Sequence, residues 1–259
     1  MSNMPREDET EPKAGTNAAD IARDLRAAIT QGEYLPGARL PGENTLMQQY
    51  NVARMTVRTA LSMLQNEGLT VSHQGRGVFV RERRQMQRHG TERYARSRWQ
   101  KAVLGAEATA QNLRASRVIR MLATVPAPAK VAERLRVAPE TPVWTRQRLV
   151  SLEGRPIQVA DSYYPVDVVE QTKLRETEPG SSDFAQLDAV GHTPTRIREE
   201  WSARMPSPDE VSTLELLPGT PILEFVRTIS DQDGRPVEVM LSLIAADSAE
   251  MIYEFPVPE

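Results

Sequence analysis

The stretch NVARMTVRTALSML, residues 51–64, places Arg54 and Arg58 on one face of a predicted helix. Val57 and Leu61 mark an apolar stripe at helical spacing, and the two arginines lie about 40° apart around the axis, away from that stripe. The stretch holds no acidic residue. Because like charges at this spacing repel by about 0.2 to 0.5 kcal/mol, we interpret this face either as an ordinary solvated cationic surface or as one that meets a polyanion.

Two further helices are predicted before this one. Asn17 and Asp20 resemble a capping box that opens a first helix, and a second helix begins near Gly42 after two Pro-Gly pairs. Asn51 supplies the turn into the third helix, which runs from about residue 54 to 67. The turn between the second and third helices is therefore tight.

A hairpin is predicted directly after the third helix. Two short strands, roughly 70–73 and 77–80, are joined through Gln74, Gly75 and Arg76, so the glycine-bearing tip can project. Three helices with a tight turn, followed by a hairpin, are typical of a winged helix-turn-helix, in which the third helix enters the major groove of DNA. Arginine suits that place because it donates two parallel hydrogen bonds to guanine.

Residues 17–80 resemble the DNA-binding domain of the GntR family of bacterial transcription regulators. The resemblance is carried by GEYLPGARLPGENTLMQQYNVARMTVRTALSMLQNEGLTVSHQGRGVFV, residues 32–80. It implies that the third helix and the wing tip contact DNA. The candidate DNA-binding residues are Arg39, Asn44, Arg54, Thr56, Arg58, Gln74, Gly75 and Arg76.

Two positions depart from the family pattern. The family usually has arginine where this chain has Asn44, and serine where it has Ala53 at the opening of the third helix. Loss of a hydroxyl cap costs about 1 kcal/mol. Asparagine can still read adenine or bind phosphate, so we expect the departures to change the operator sequence.

The composition indicates a cytoplasmic protein of two domains. The chain has 259 residues, no cysteine and three histidines far apart in sequence, which argues against disulfides, thiolate catalysis and metal sites. We expect no signal peptide, spanning helix or cofactor. The net charge of −3 is unevenly distributed, because residues 17–84 carry nine basic and six acidic groups whereas residues 105–259 carry 16 and 24. Only the N-terminal part is therefore expected to meet a polyanion.

The predicted domain limits follow from these patterns. Residues 1–16 form a disordered tail, residues 17–80 the winged helix-turn-helix, and residues 105–259 a second domain. The arginine-rich segment 81–104 is interpreted as a flexible or partly helical connector near DNA phosphates, or as a simple solvated linker.

An internal repeat divides the second domain. LRVAPETPVW, residues 135–144, aligns with LELLPGTPIL, residues 214–223, and EGRPIQV, residues 153–159, aligns with DGRPVEV, residues 233–239. The offsets are 79 and 80 residues. Each copy predicts a short helix, a strand, a tight turn and a second strand. Two such copies predict a single antiparallel sheet with helices against it, an α+β fold.

This region resembles the effector-binding UTRA domain of the HutC subfamily within the same family, a fold shared with chorismate lyase. The resemblance is carried by TRQRL, EGRPIQVADSYYP, SSDFAQL, LPGTPILEFVRTISDQDGRPVEV and IAADS, and it implies a small-molecule effector and a homodimer. Alternatively, the arginines form cross-strand ion pairs and the tyrosines lie in the core. The candidate effector-binding residues are Arg146, Arg148, Ser162, Tyr163, Tyr164, Glu238 and Asp247.

Two departures bear on the effector. The Thr-Ser-Phe-like stretch that holds phosphate in sugar-phosphate-sensing relatives is absent from RSRWQKAVLGAEATAQNLRASRV, and the family's late Tyr-Arg-Gly-Asp stretch is replaced by IAAD, residues 244–247. We therefore expect a ligand that is less anionic than a sugar phosphate.

These observations favour a cytoplasmic, homodimeric repressor that binds a palindromic operator and responds to an effector. A constitutive repressor, for example in plasmid transfer or maintenance control, whose second domain only dimerises is the alternative. An enzyme is disfavoured, because the sequence holds no cysteine and no histidine cluster.

Overall fold

The computed structural model describes residues 16–82, 85–90, 92–100, 103–178 and 181–255. The chain divides near residue 83 into two compact units. The predicted disordered tail, residues 1–16, lies outside the described residues except for Thr16.

The first unit contains the three predicted helices, α1 (Ala18–Thr30), α2 (Glu43–Tyr50) and α3 (Arg54–Asn66). Their apolar faces meet in one core, in which Ile21, Leu46, Val57 and Leu64 are fully buried. The apolar stripe of α3 therefore faces inward, as its spacing predicts.

Local signals set the helix ends. The Asn17 side chain accepts hydrogen bonds from the backbone N–H groups of Ala19 (2.8 Å) and Asp20 (3.1 Å), and the Asp20 carboxylate accepts one from Asn17 N–H (3.2 Å), so the capping box is present. Asn51 ends α2 in the left-handed region at φ 50°. Ala53 caps α3 without a side-chain hydrogen bond.

The wing consists of β1 (Thr70–His73) and β2 (Gly77–Val80), paired antiparallel. Arg76 N–H donates to the His73 carbonyl oxygen (3.0 Å), which closes a tight turn. Gly75 has a backbone φ of 71° there, a value that residues with a Cβ atom rarely adopt. The first unit is a winged helix-turn-helix, and that prediction is confirmed.

The second unit is an α+β structure built on a large sheet. Its elements are β3 (Met86–His89), α4 (Val103–Ala110), β4 (Ala115–Pro126), α5 (Ala129–Leu135), β5 (Pro142–Leu152), β6 (Arg155–Pro165), α6 (Val166–Val169), α7 (Asp183–Ala189), β7 (Arg196–Arg204), α8 (Pro208–Thr213), β8 (Ile222–Ser230), β9 (Pro236–Ala245) and β10 (Ala249–Ile252), with 3-10 turns at Glu92–Tyr94, Arg96–Arg98 and Lys173–Arg175. Within the described residues, six strands pair antiparallel in the order β4-β5-β6-β9-β8-β7. Short helices join β4 to β5, β6 to β7 and β7 to β8.

The two copies of the sequence repeat form the two halves of this sheet. One copy contributes β4, α5, β5 and β6, and the other contributes β7, α8, β8 and β9. Their last strands pair at the centre, where Asp161 faces Leu241, and the pairs Ala160 with Ser242 and Ser162 with Met240 lie on either side. The halves are thus related by an approximate two-fold axis through the Asp161–Leu241 pair.

The described residues 86–90 and 92–100 of the segment interpreted as a connector belong to the second unit. β3 pairs in parallel with β10, and Met86 is fully buried. The Arg93 side chain is also buried, and its guanidinium forms an ion pair with Glu199 of β7. Residues 86–90 and 92–99 therefore differ from a solvated linker, because apolar burial and a buried ion pair hold them in place.

Glu199 is the acceptor on which this packing converges. Its carboxylate accepts hydrogen bonds from Arg93, from Tyr94 and from the Tyr253 hydroxyl (2.6 Å). Burial by itself would raise the pKa of Glu199, but the Arg93 charge and the tyrosine hydrogen bonds outweigh it and lower that pKa below its ordinary value of 4.5.

We expect Glu199→Gln to lower the free energy of unfolding of the second unit by about 1 to 3 kcal/mol at pH 7, because it leaves Arg93 buried without its carboxylate. A group with a lowered pKa stabilises the fold above its ordinary pKa and loses this effect as the pH falls through the lowered value. The difference from wild type should therefore vanish in acid.

Calorimetric unfolding at pH 7 and in acid measures this difference. Glu200→Gln is the matched control, because Glu200 is the next residue on β7 and forms a more exposed pair with Arg134 (2.7 Å). A loss for Glu199→Gln that persisted unchanged at acid pH would contradict the assigned role of the charge.

Candidate functional sites

The N-terminal end of α3 presents two arginines to solvent. The Arg54 and Arg58 side chains are 54% and 55% exposed, whereas Val57 between them is fully buried. Met55 lies beside Arg54 and is 67% exposed. Thr56 is half-buried on the same turn. This end of α3 therefore packs one side in the core and exposes the other side to solvent.

Although the stretch 51–64 holds no acidic residue, both arginines have an acidic neighbour from outside it. Arg58 Nε donates to both carboxylate oxygens of Glu43, at 3.0 and 3.1 Å, and Arg54 Nε lies 3.9 Å from the same carboxylate. Arg54 Nη2 also donates to Asn44 Oδ1 at 2.9 Å. The turn between the helices brings the first residues of α2 against the first turns of α3, so the counter-charge comes from the neighbouring helix.

The remaining candidate DNA-binding residues lie on or against the wing. Gln74, Gly75 and Arg76 form its exposed tip. Arg39 pairs with Phe79 through the backbone, and its guanidinium lies so close over Gly77 that a Cβ there would approach Arg39 Nε to 2.9 Å. Arg39 thus belongs to the wing structurally, although it lies far from it in sequence.

The second unit contains a cavity of about 270 Å³ between one face of the sheet and the start of α7. Its lining combines several guanidinium groups with one carboxylate and an apolar portion. The residues that matter for its chemistry are Arg117, Arg148, Gln158, Asp183, Phe184, Arg227 and Met240.

Two of the lining arginines, Arg148 and Arg227, belong to a buried cluster that contains an ion pair and its hydrogen-bond partners. Arg227 Nη2 donates to the two carboxylate oxygens of Glu238 at 2.7 and 2.9 Å, and Arg227 Nε donates to one of them, Oε2, at 3.1 Å. Ser162 Oγ (2.9 Å) and the Tyr164 hydroxyl (3.2 Å) donate to the same carboxylate. Arg148 Nη2 in turn donates to Ser162 Oγ at 2.5 Å. The cluster orients both guanidiniums on one face of the sheet.

Asp183, the first residue of α7, supplies a second carboxylate. Its Oδ2 lies 3.5 Å from Arg227 Nη2 and 3.7 Å from Arg148 Nη1. Burial would raise the pKa of Asp183, but the two arginines outweigh burial and lower it. For Arg227, burial would lower the pKa, but Glu238 outweighs it and the pKa is raised. Both groups are therefore held in their charged forms.

Arg146 lies behind this cluster and does not line the cavity. Its side chain is fully buried, and Nη2 donates to the Thr177 carbonyl oxygen at 3.0 Å. Within the part of the chain that the structure describes, Nε and Nη1 of Arg146 have no hydrogen-bond partner. Burial and the adjacent Arg148 lower the pKa of Arg146.

Two candidate effector residues lie elsewhere. Tyr163 points to the opposite face of the sheet and packs in an apolar cluster with Val131 and Val239, because successive residues of a strand alternate between faces. Asp247 instead accepts from Arg155 Nη2, at 2.9 and 3.1 Å, outside the cavity lining. The structure thus brings together Arg146, Arg148, Ser162, Tyr164 and Glu238, but neither Tyr163 nor Asp247.

Sequence reasoning missed Arg227, although the repeat contained the signal. Arg227 lies 79 residues after Arg148, the offset that relates the two copies. At an offset of 80, Gln158 corresponds to Glu238 and Ser162 corresponds to Ser242. Gln158 Nε2 donates to Ser242 Oγ at 2.7 Å, and this contact is the counterpart of the hydrogen bond between Ser162 and Glu238. Asp183 lies outside the repeat, so no comparable signal pointed to it.

Among the described residues, no helix is long and apolar enough to cross a membrane, and no cluster of three metal-binding side chains occurs. The profile described as bacterial regulatory proteins, gntR family, matches residues 17–80, and the UTRA domain profile matches residues 110–250, more than half of the chain.

Relatives match along nearly the whole chain. The uncharacterized HTH-type transcriptional regulator RB1450 of Rhizobium meliloti is 31% identical over 90% of this chain and 93% of its own. The HTH-type transcriptional repressor NagR of Bacillus subtilis is 24% identical over 90% and 92%. A crystal structure of a GntR-family transcriptional regulator superposes with a TM-score of 0.66 at 26% identity, covering 94% of this chain and 99% of its own. The chain belongs to the GntR family of DNA-binding transcription regulators and carries a UTRA domain of the kind found in the HutC subfamily.

Proposed function

We propose that this regulator is a repressor in which Arg54 and Arg58 read base edges from α3 while the wing tip contacts the adjoining minor groove. The observation that carries the proposal is the way the two arginines are held. Glu43 engages Arg58 through Nε, and Asn44 engages Arg54 through Nη2, so further N–H donors of each exposed guanidinium point to a partner. Two parallel donors are what guanine requires.

The repressive sense of regulation is supported by the similarity to NagR, which is itself described as a repressor. A homodimer on a palindromic operator is part of the proposal, because two copies of a winged helix-turn-helix read two half-sites related by a two-fold axis. The proposed location is the cytoplasm, where the operator is found, and the proposal assigns no catalytic step to the second unit.

A small molecule in the cavity is proposed to modulate DNA binding. Arg117, Arg148 and Arg227 favour a ligand with an anionic or strongly polar end, and Phe184 and Met240 favour an apolar portion. Asp183 offsets part of the positive charge, which fits a weakly anionic ligand better than a phosphate ester. Coupling between the two sites of about 1 to 3 kcal/mol is sufficient for induction.

One observation favours the constitutive alternative. Arg148 and Arg227 already have protein partners in Ser162, Glu238 and Asp183, so the cluster is satisfied without a ligand. In that case the second unit only dimerises the protein.

Arg54→Ala and Arg58→Ala should each weaken binding to the specific operator by about 1 to 3 kcal/mol, because each removes a base contact. Fluorescence anisotropy with a selected operator measures the loss. Arg114→Ala is the charge-matched control, because Arg114 is 91% exposed in the second unit. Unchanged affinity in both α3 variants would refute the recognition-helix assignment.

A thermal-shift screen of metabolites tests effector control. A true effector at about 100 times its dissociation constant should stabilise the protein by about 2.7 kcal/mol and release the operator. Arg117→Ala should reduce this shift, because Arg117 lines the cavity and its ion pair is with the exposed Glu178. Arg120→Ala should leave the shift unchanged, because Arg120 lies on the same strand but outside this lining. Operator binding that neither a panel nor a cell extract releases would favour the constitutive repressor.

A further inference from the structure

We propose that Asn44 acts on DNA recognition indirectly, as a positioning residue that fixes the Arg54 guanidinium and so sets the base pair that Arg54 prefers. The inference rests on the proposed function, in which Arg54 reads a base edge. It assigns to Asn44 a role different from the direct DNA contact that its place in the family motif implies.

Each of the two arginines of α3 has its own hydrogen-bond partner on α2. Asn44 Oδ1 accepts from Arg54 Nη2 at 2.9 Å, whereas the Glu43 carboxylate accepts from Arg58 Nε at 3.0 and 3.1 Å. Arg54 Nε lies 3.9 Å from Glu43, beyond hydrogen-bond distance. Asn44 therefore supplies the hydrogen bond that orients Arg54, and Glu43 adds only a longer-range attraction.

Orientation matters because Arg54 is the first residue of α3 and its side chain is 54% exposed. A long exposed side chain at a helix end samples many rotamers, and each must be given up when the side chain binds a base. A guanidinium has five N–H donors, and the bond to Asn44 takes one of them at Nη2. The other Nη hydrogens remain for two parallel bonds to guanine.

The residue type at position 44 decides whether the hydrogen bond that orients Arg54 can form. Asparagine offers a neutral oxygen acceptor, so it can bind Arg54 without cancelling the positive charge that attracts DNA. An arginine, which the resemblance leads one to expect there, has no acceptor and would repel Arg54. The base preference of Arg54 in this chain therefore depends on a contact that an arginine at position 44 could not make.

The test uses the full-length chain and an operator selected from random-sequence DNA by the wild-type protein. Dissociation constants are measured for this operator and for each single base-pair variant of it. The proteins are wild type, Asn44→Ala, Arg54→Ala, the double variant and Asn44→Asp. Gln49→Ala is the control, because Gln49 is an exposed polar residue five positions further along α2 and so faces a different direction.

Asn44→Ala should weaken operator binding about 3- to 10-fold and flatten discrimination at the same base pair as Arg54→Ala. In the Arg54→Ala background, adding Asn44→Ala should change the dissociation constant by less than about twofold, because there is nothing left to orient. Asn44→Asp keeps the oxygen acceptor. It should retain discrimination at that base pair while its negative charge lowers affinity for all sequences alike.

Three results would overturn the inference. An equal loss from Asn44→Ala with and without Arg54 would show that Asn44 contacts DNA itself. If Asn44→Ala kept the wild-type melting temperature and its base-pair discrimination were unchanged, Arg54 would not need Asn44 to orient it. Loss of discrimination in Asn44→Asp would show that the acceptor oxygen is not what matters. Failure of the proposed function is distinct, because then Arg54→Ala itself would leave operator binding unchanged.

Discussion

The second unit is organised around the buried ion pair between Arg227 and Glu238. Both side chains lie on the inner face of the sheet, and desolvating two charges costs several kcal/mol per ion unless hydrogen bonds replace the lost water. Ser162 and Tyr164 supply those bonds, and Asp183 adds a second carboxylate beside Arg227. Because Asp183 is the first residue of α7, this cluster also ties the start of that helix to the sheet.

The approximate two-fold symmetry of the sheet makes the charge distribution easier to interpret. The equivalent arginines Arg148 and Arg227 both line the cavity, yet only one half has a carboxylate at the equivalent position, since Gln158 stands where the other copy has Glu238. Asp183, from outside the repeat, partly replaces the missing acid. A symmetric scaffold thus carries an asymmetric polar site, and Arg148 is less firmly neutralised than Arg227. Because the two ends of the cluster differ in charge, a polar ligand would bind in one orientation.

The sequence predicts much of the first unit, because its signals are local. The capping pair Asn17 and Asp20, the left-handed turn at Asn51 and the glycine at the wing tip each specify the backbone within a few residues. The α+β sheet was predictable because the repeat is visible as a self-match. The contact of Glu43 with Arg58 was not, because it depends on how two helices pack across a turn.

Two other features lay beyond sequence reasoning for a different reason. β3 pairs with β10, more than 150 residues further along the chain, and a four-residue strand in an arginine-rich segment gives no periodic signal of its own. The choice between Tyr163 and Tyr164 depended on which face of β6 is turned to the cavity, and adjacent residues of a strand face opposite ways. Both outcomes are set by long-range packing rather than by local propensity.

Hydroxyl-radical footprinting of the full chain tests the central claim, that α3 is the surface that meets DNA. The chain provides its own probe and control, because Met55 is 67% exposed beside Arg54 and Met205 is 62% exposed in the second unit. Adding the selected operator should slow oxidation of Met55 several-fold and leave Met205 unchanged. Equal oxidation of Met55 with and without bound operator would contradict the account.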